Sequence, residues 1–235
     1  MANQDKPTYE AESAYLGQGY VIGVDEAGRG PWAGPVCAAA FWIHPDHLSH
    51  LPQALTDSKK LSAKQRTEIE ATLSEPPHLF DTAFATVDEI DEIGILQATF
   101  LAMQRAVSSV CETLISADPL GFANRGHDPQ KEHLIAHILV DGNLLPPLSL
   151  TNPLPATAII KGDSKSLSIA AASIMAKQSR DKHMMALSNA FPDYGWDSNQ
   201  GYGTAAHQKA LALNGVTPHH RRSFKPIAKL LDHTD

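Results

Sequence analysis

An apolar segment that ends in two adjacent acids constrains this chain more than any other stretch. Residues 21–24 are Val-Ile-Gly-Val, which is typical of a buried strand. Asp25 and Glu26 follow directly, and burying two carboxylates is costly unless a cation or a hydrogen-bond network neutralises them. Neighbouring residues of an ideal strand point to opposite faces, so both acids serve one centre only if the strand bends. We therefore expect an acidic site here, with a departure from regular strand geometry over residues 25–27.

A glycine-rich turn follows the two acids. Gly28 and Gly30 have no Cβ, so their backbone N–H groups can approach a ligand closely. Arg29 lies between them and carries a fixed positive charge that suits phosphate. A surface turn with solvated charges explains these residues equally well when they are taken alone. The functional interpretation therefore depends on the rest of the chain.

Two further apolar segments also end near acids. Residues 138–140 lead into Asp141, and residues 158–160 lie just before Asp163. Taken singly, Asp141 would be part of a turn and Asp163 a helix cap. Ligands of α/β sheets bind at the carboxyl ends of strands, so three such ends predict one acidic centre. Clustered carboxylates repel each other unless cations bind, and hard oxygen ligands suit Mg²⁺ or Mn²⁺. Two such ions, about 4 Å apart, can promote hydrolysis of a phosphodiester.

The other segments predict the elements of an α/β domain. A Ser-x-x-Gln capping box at Ser62 begins a helix, and apolar residues at steps of three and four mark an amphipathic helix further on. An alanine-rich helix with a face suited to close packing follows later. We expect strands over 33–43 and 79–87, helices over 62–73, 96–114 and 167–190, a short acidic helical piece over 88–93, and a loop over 116–132.

Charge is distributed unevenly along the 235 residues. The formal net charge is −7, yet residues 159–229 contain ten Lys or Arg and only four acids. This last third is a candidate surface for a polyanion. Segregation of charge between solvated faces by chance explains the count equally well.

The composition is that of a water-soluble domain. No apolar run is long enough to cross a bilayer, and the N-terminus does not resemble a secretory signal. Cys37 and Cys111 lie in apolar contexts and are expected to be reduced core residues, which suits the cytoplasm.

Six segments of the chain are, in order, Val24-Asp25-Glu26-Ala27-Gly28-Arg29-Gly30-Pro31, Asp57-Ser58-Lys59, Val140-Asp141-Gly142-Asn143, Lys161-Gly162-Asp163, Gly201-Tyr202-Gly203-Thr204 and His219-His220-Arg221-Arg222-Ser223-Phe224. In this order they resemble the motifs of the bacterial ribonuclease HII family, the type 2 ribonucleases H, and the resemblance covers about residues 19–224, nearly the whole chain. The segment over residues 116–132 is longer than the family's usual short link.

The resemblance implies an α/β fold, namely a ribonuclease H-like mixed five-stranded sheet flanked by helices, with a helical C-terminal region. Residues 1–17 would be a polar tail and residues 18–235 the catalytic domain. Within that domain, residues 191–235 would form a helical region that binds substrate.

The resemblance also implies an activity. The enzyme would cut the RNA strand of RNA–DNA hybrids, and duplex DNA on the 5′ side of an embedded ribonucleotide, leaving 3′-hydroxyl and 5′-phosphate ends. Asp25, Glu26, Asp141 and Asp163 would hold two Mn²⁺ or Mg²⁺ ions.

Six residues would contact the substrate if the resemblance holds. The backbone of the glycine-rich turn would read the ribose 2′-hydroxyl, the group that separates RNA from DNA. An aromatic ring would pack on the sugar, and two basic side chains would contact phosphates. These residues are Gly28, Arg29 and Gly30 for the hydroxyl, Tyr202 for the sugar, and Lys59 and Arg221 for the phosphates.

Two alternative functions remain open at this point. A DNA resolvase or transposase-like nuclease has the same kind of acids and metals, and fold analogy alone does not exclude it. A non-catalytic hybrid-binding protein is the second alternative, although pure binding favours basic grooves over clustered carboxylates. If the resemblance to ribonuclease HII holds, the partners are RNA–DNA hybrid and ribonucleotide-containing duplex DNA. The protein is then expected to be a cytoplasmic monomer that does not bind membranes.

Overall fold

The centre of the molecule is a mixed sheet of five strands. The computed structural model describes residues 6–58, 61–121 and 134–232. The strands lie in the order β3-β2-β1-β4-β5, and β4 is parallel to both β1 and β5, whereas β1, β2 and β3 pair antiparallel. This arrangement confirms the predicted mixed five-stranded sheet. The strands are β1 (Tyr20–Ala27), β2 (Val36–Trp42), β3 (Leu79–Ala85), β4 (Ile135–Asp141) and β5 (Ala156–Ile159).

Helices cover both faces of the sheet and form the C-terminal region. The helix predicted from the capping box begins at Ser62, whose hydroxyl accepts from the backbone N–H of Gln65. The alanine-rich helix has the predicted bounds. The helices are α1 (Glu10–Ser13), α2 (Ala63–Leu73), α3 (Val87–Ala117), α4 (Leu167–Ala190), α5 (Trp196–Asn199), α6 (Ala205–Asn214) and α7 (Lys225–Asp232).

Helix α3 combines the short helical piece predicted over 88–93 with the helix predicted over 96–114. Its stripe of apolar residues packs on the sheet as expected, but the helix begins at Val87, where Thr86 and Glu89 form a second capping box. Gly94 interrupts it with a φ of 80°, a conformation that glycine adopts at little cost. Most of the loop predicted over 116–132 lies outside the described residues.

The core has one layer on each side of the sheet. Every residue of β2 is buried, because α3 packs on one face and α4 on the other. Small residues permit this close approach. A Cβ on Gly23 would clash with the backbone of Ser168, so α4 lies directly against β1. This contact holds α4 over the end of the strand that bears the acids.

The N-terminal segment differs from the predicted polar tail. Glu12 is buried, and its Oε1 accepts from the Ser166 hydroxyl at 2.6 Å and from the Ser168 backbone N–H at 2.8 Å. The carboxylate therefore satisfies donors at the N-terminus of α4, where a negative charge is favourable. At least residues 8–13 thus pack against the catalytic domain.

Two expectations from composition can be compared with the described chain. Within the residues that the structure describes, no helix has both the length and the apolar character that a bilayer crossing requires. Cys37 and Cys111 are both buried and free, as expected, and burial raises the pKa of each thiol to about 12.

Candidate active site

Asp25 lies buried at the end of β1 and faces α4. Only 6% of the residue is exposed, and the Ser173 hydroxyl and the Glu26 backbone N–H donate to its carboxylate. Burial raises the pKa of Asp25 well above its ordinary value, and the nearby charges of Glu26 and Asp141 raise it further. Three of the four predicted acids therefore lie close enough to affect one another.

Glu26 lies on the opposite face of a regular strand, so the predicted departure from strand geometry is wrong. Residues 22–27 pair with β2 without interruption, including Asp25 with Ala39 and Glu26 with Ala38. The Glu26 carboxylate accepts from the Arg29 guanidinium at 3.3 Å, and the residue lines one cavity that borders α3 and another that borders α4. It nevertheless remains beside Asp141, because both line a small cavity of about 60 Å³.

Asp141 and Asp163 lie at the ends of the next two strands. Asp141 ends β4, and its Oδ1 accepts from the Gly162 backbone N–H at 2.6 Å. The chain turns sharply after β5, because Lys161 adopts the left-handed region with a φ of 55°. A single 3₁₀ turn then holds the buried Asp163 beside Gly162. The predicted meeting of three strand ends at one edge of the sheet is therefore observed.

The donor set at this edge suits hard divalent cations. It consists of carboxylate oxygens, and the raised pKa of Asp25 reflects first its burial and then the nearby negative charge, which a cation would neutralise. Among the residues described, no three His, Cys, Asp or Glu side chains already form a complete metal site.

The glycine-rich turn borders a cavity of about 450 Å³ next to the acids. The Tyr202 ring lies next to Gly30 in the lining of this cavity, since a Cβ on Gly30 would be 3.4 Å from the tyrosine ring. The Tyr202 residue is 48% exposed, so its ring does not fill the core. Besides the turn and this ring, the cavity is lined by Glu26, Ala27, Ser58, Ser173, Lys177 and Arg180.

Gly28 is required by close packing against a buried arginine that the sequence analysis missed. Its φ is +94°, and a Cβ at this position would clash with the Arg180 side chain. Arg180 donates to the carbonyls of Ala33, Pro35 and Gln200. It therefore joins the segment after the turn to the segment before Tyr202.

A polar stripe on α4 is the sequence signal from which the α4 residues that line the cavity could have been predicted. Ser173, Lys177 and Arg180 are spaced at i, i+4 and i+7, which places them on one face of an otherwise alanine-rich helix. A stripe of this kind beside a predicted acidic centre indicates a lining helix. Lys177 also forms an ion pair of 2.6 Å with Asp181.

Arg221 does not contact solvent, which corrects its predicted role as a phosphate ligand. The residue is fully buried, and its guanidinium donates to the carbonyls of Gly28, Arg29 and Gly34. These three bonds leave the side chain inside the fold, beneath the turn. Lys59, the other predicted phosphate ligand, lies outside the described residues.

Fewer basic side chains are available at the surface of the last third of the chain than the count of ten suggests. Arg180 and Arg221 are buried, and Lys182 pairs with Glu70 at 2.6 Å. The charge that remains available to a polyanion is therefore only part of the ten basic residues between 159 and 229.

Two histidines lie beneath the Tyr202 segment and define a chain of hydrogen bonds. The Thr217 backbone N–H donates to Nδ1 of His220, so the proton of neutral His220 is on Nε2. His220 Nε2 lies 3.1 Å from His207 Nε2, which therefore accepts, and His207 Nδ1 donates to the Tyr202 carbonyl at 2.9 Å. Both rings are fully buried. The network fixes the backbone that presents the Tyr202 ring.

Comparisons with known proteins agree with this architecture. A family model described as Ribonuclease HII matches residues 22–227. The ribonuclease HII of Ruegeria sp. (strain TM1040) is 45% identical over 229 residues, which is 97% of this chain and 88% of the relative. The ribonuclease H2 of Pyrococcus horikoshii OT3 has a similar fold, with a TM-score of 0.61 at 24% identity over 91% of this chain and 98% of the other. Bst-RNase HIII in complex with Mn²⁺ is similar with a TM-score of 0.65 at 20% identity, over 95% of this chain and 72% of the other.

Proposed function

The chain belongs to the ribonuclease HII family and is therefore an endoribonuclease of RNA–DNA hybrids, and we propose that it also cuts duplex DNA on the 5′ side of an embedded ribonucleotide. The products would carry 3′-hydroxyl and 5′-phosphate ends. The observation that carries this proposal is the position of the glycine-rich turn, which follows Asp25 and Glu26 directly and borders the same cavity as Tyr202. A ribose read by the turn would then lie beside the acids.

We propose that Asp25, Glu26, Asp141 and Asp163 hold two divalent ions, Mn²⁺ or Mg²⁺. The burial of Asp25 among negative charges supports this assignment, since a cation would remove an electrostatic cost that the fold otherwise bears. The related ribonuclease HIII was determined in complex with Mn²⁺. When bound, such ions activate the attacking water and stabilise charge on the leaving oxygen. Ser173 would help by holding the Asp25 carboxylate in place.

The turn would recognise the ribose by backbone contact. Arg29 and Gly30 are exposed, and neither of their backbone N–H groups has a partner among the described residues. A 2′-hydroxyl oxygen can accept from such donors, whereas a deoxyribose offers nothing in its place. Selectivity then arises because an all-DNA strand would bury these amides without a partner. The Arg29 side chain, paired with Glu26, is available to a phosphate once Glu26 binds a cation.

Tyr202 would pack on the sugar next to the ribonucleotide. Its exposed ring lies next to Gly30 in the lining of the same cavity, so one nucleotide could contact both. Gly201 and Gly203 allow the segment to approach Ala33 and Trp32, because a Cβ at either position would clash with these residues. The backbone around Tyr202 is therefore set by packing, and the ring is left for the ligand.

We further propose that the protein works as a monomer in the cytoplasm. All of the groups assigned to the reaction come from one chain, so no second subunit is needed to complete the site. Its partners would be the RNA–DNA hybrid and the ribonucleotide-containing duplex.

Cleavage of a duplex with a single ribonucleotide tests the proposal. We expect one cut on its 5′ side with Mg²⁺ or Mn²⁺, no cut with chelator, and no cut in the matched all-DNA duplex. End-labelling would identify the 3′-hydroxyl and 5′-phosphate.

Two results would contradict the proposal in different ways. Equal cutting of the all-DNA duplex would favour the resolvase-like alternative. Binding of hybrid without metal-dependent cleavage would favour a non-catalytic role.

A further inference from the structure

The Arg221 side chain is enclosed by the backbone of the glycine-rich turn. Its Nη2 donates to the Gly28 carbonyl at 2.6 Å and its Nη1 to the Arg29 carbonyl at 2.9 Å. The Nε group donates to the Gly34 carbonyl at 2.8 Å. One buried guanidinium thus fixes two successive peptide groups of the turn and the point at which the chain leaves it.

These contacts determine where the amides of the turn point. In a trans peptide the C=O and N–H groups point in opposite directions, and the peptide bonds on both sides of Arg29 are trans. Since the carbonyls of Gly28 and Arg29 point towards Arg221, the N–H groups of Arg29 and Gly30 point away from it. Both residues are exposed, and neither amide has a partner in the part of the chain that the structure describes.

We propose that Arg221 is a positioning residue for the discrimination between RNA and DNA. By holding the two carbonyls, it directs the Arg29 and Gly30 amides together towards the ribose 2′-hydroxyl. This inference rests on the proposed function of the turn, and it assigns to Arg221 no contact with the nucleic acid.

Arginine suits this task better than lysine. A guanidinium presents five N–H donors in a planar fork, which matches carbonyls that lie side by side, whereas an ammonium concentrates its donors at one point. Burial, together with the nearby Arg180, lowers the pKa of Arg221 to about 9, so the group is still charged at neutral pH and its bonds are charge-assisted.

The surroundings of Arg221 hold the side chain in one orientation. Its backbone N–H donates to the Trp32 carbonyl at 2.8 Å, and its guanidinium lies 5.1 Å from the centre of the Phe224 ring. Arg180 also packs against Gly28, because a Cβ on Gly28 would clash with its side chain. The turn is therefore in contact with two buried arginines, of which Arg221 bonds to the carbonyls of Gly28 and Arg29 and Arg180 bonds to carbonyls outside the turn.

Arg221→Lys is the decisive variant, and Arg222→Lys is its matched control. Arg222 is the next residue in the chain and is exposed, and its backbone N–H donates to Asp91, which the substitution leaves intact. The measurement is the affinity for a duplex with one ribonucleotide, divided by the affinity for the same all-DNA duplex, in chelator so that no cleavage occurs. Melting temperatures are recorded for all three proteins.

We expect the wild type and Arg222→Lys to prefer the ribonucleotide duplex to the same degree. In Arg221→Lys the ratio of the two affinities should fall about tenfold, which corresponds to about 1.4 kcal/mol. The affinity for the all-DNA duplex should stay the same. An unchanged ratio in Arg221→Lys would overturn the proposal. An equal loss of affinity for both duplexes, with a lowered melting temperature, would also overturn it, because it would show a structural role only.

A second measurement covers the case in which Arg221→Lys does not fold. In the wild type, the amide NMR signals of Arg29 and Gly30 should shift on adding the ribonucleotide duplex and not on adding all-DNA duplex. Equal shifts with both duplexes would overturn the proposed direction of the amides. If the wild type itself shows no preference between the duplexes, the proposed function of the turn fails, and this outcome is distinct from loss of preference in Arg221→Lys alone.

Discussion

Acid should destabilise this protein through a buried histidine, His220. Its ring is fully buried, and burial together with the neighbouring His207 lowers the pKa of His220 from 6.5 to about 4. The folded state therefore keeps the ring neutral at a pH where the unfolded chain takes up a proton. Protonation would place an N–H on Nδ1, opposite the Thr217 backbone N–H that now donates to it. The stabilising contribution is complete above pH 6.5 and is lost as the pH falls towards 4.

The size of this loss follows from the two pKa values. One pKa unit corresponds to about 1.4 kcal/mol, so the free energy of unfolding should fall by about 3 kcal/mol between pH 7 and pH 4 through His220 alone. The pKa of His207 is lowered as well, again chiefly by burial, so its contribution has the same sign. For a domain of ordinary stability this is a large fraction of the total.

Urea unfolding at several pH values, in chelator, measures the effect. Because carboxylates also titrate in this range, the informative quantity is the difference between the wild type and His220→Asn. The amide oxygen of asparagine still accepts from Thr217 but does not titrate. We expect the variant to be less stable at pH 7, with a difference from the wild type that shrinks by about 3 kcal/mol towards pH 4.

A matched histidine separates this effect from a general one. His50→Gln removes an exposed histidine that lies outside the cluster around Tyr202, and its stability is measured at the same pH values for comparison. A constant difference between the wild type and His220→Asn from pH 7 to pH 4 would refute the reasoning, because it would show that His220 takes up its proton equally in the folded and unfolded states.

Three further predictions concern the active site. Asp25→Asn should remove most cleavage yet raise the melting temperature in chelator, because it deletes a buried charge whose pKa burial and neighbouring acids have raised. Tyr202→Ala should slow cleavage at a single ribonucleotide by about 5- to 150-fold, since stacking on a nucleotide is worth about 1–3 kcal/mol, and Tyr202→Phe should lose less. Gly28→Ala should lower both the melting temperature and the cleavage rate, because the added Cβ would clash with Arg180. Gly30→Ala should keep the wild-type melting temperature, because the nearest atom to the added Cβ is 3.4 Å away. It should nevertheless cut more slowly, because the added methyl group would obstruct the ribose.

Each of these has an outcome that would contradict it. An active Asp25→Asn enzyme would remove the carboxylate from the reaction. If Tyr202→Ala slowed cleavage of a long RNA tract as much as cleavage at one ribonucleotide, and also melted earlier, the ring would be structural. Full activity of Gly30→Ala would show that no ligand approaches the turn closely. Cleavage rates on the single-ribonucleotide duplex and on the long RNA tract, together with melting curves, measure all of these outcomes.

The strand ends that form the site were predictable because each has a local signal. A short β-branched run followed by an acid appears at Asp25 and at Asp141, and the parallel pairing of β1 with β4 brings both to one edge. The capping box at Ser62 and the alanine-rich α4 were equally predictable, since they depend on contacts within a few residues. The regular geometry of β1 was not, because the long pairing with β2 outweighs any local tendency to bend at the acids.

The two arginines show what such local signals omit. Arg180 in a helix and Arg221 beside Arg222 have nothing in their neighbourhood that distinguishes a buried cation from a solvated one. Their burial is decided by backbone carbonyls near Gly28 and Ala33, more than 140 residues away in the chain. Gly28 was a partial signal of this buried contact, because a glycine can indicate close packing but does not identify the packing partner.

The arrangement of charge around the turn reconciles two opposite needs of a nuclease. A polyanionic strand must approach a site built of carboxylates, which repel it. Here the acids directly precede residues 28–30, whereas the cations of Arg180 and Arg221 are buried against the turn and bonded to carbonyls of the turn and its flanks. The carbonyl dipoles are thereby used inside the protein, and the N–H ends of Arg29 and Gly30 are left for the substrate. Under the proposed function, a strand that presents a hydroxyl at this point would gain two donors beside the acids, while one without it would meet the carboxylates and unpaired amides alone. Preference for a ribonucleotide would then follow from the orientation of two peptide groups, and the residue that orients them would be as important for selectivity as those that touch the ribose.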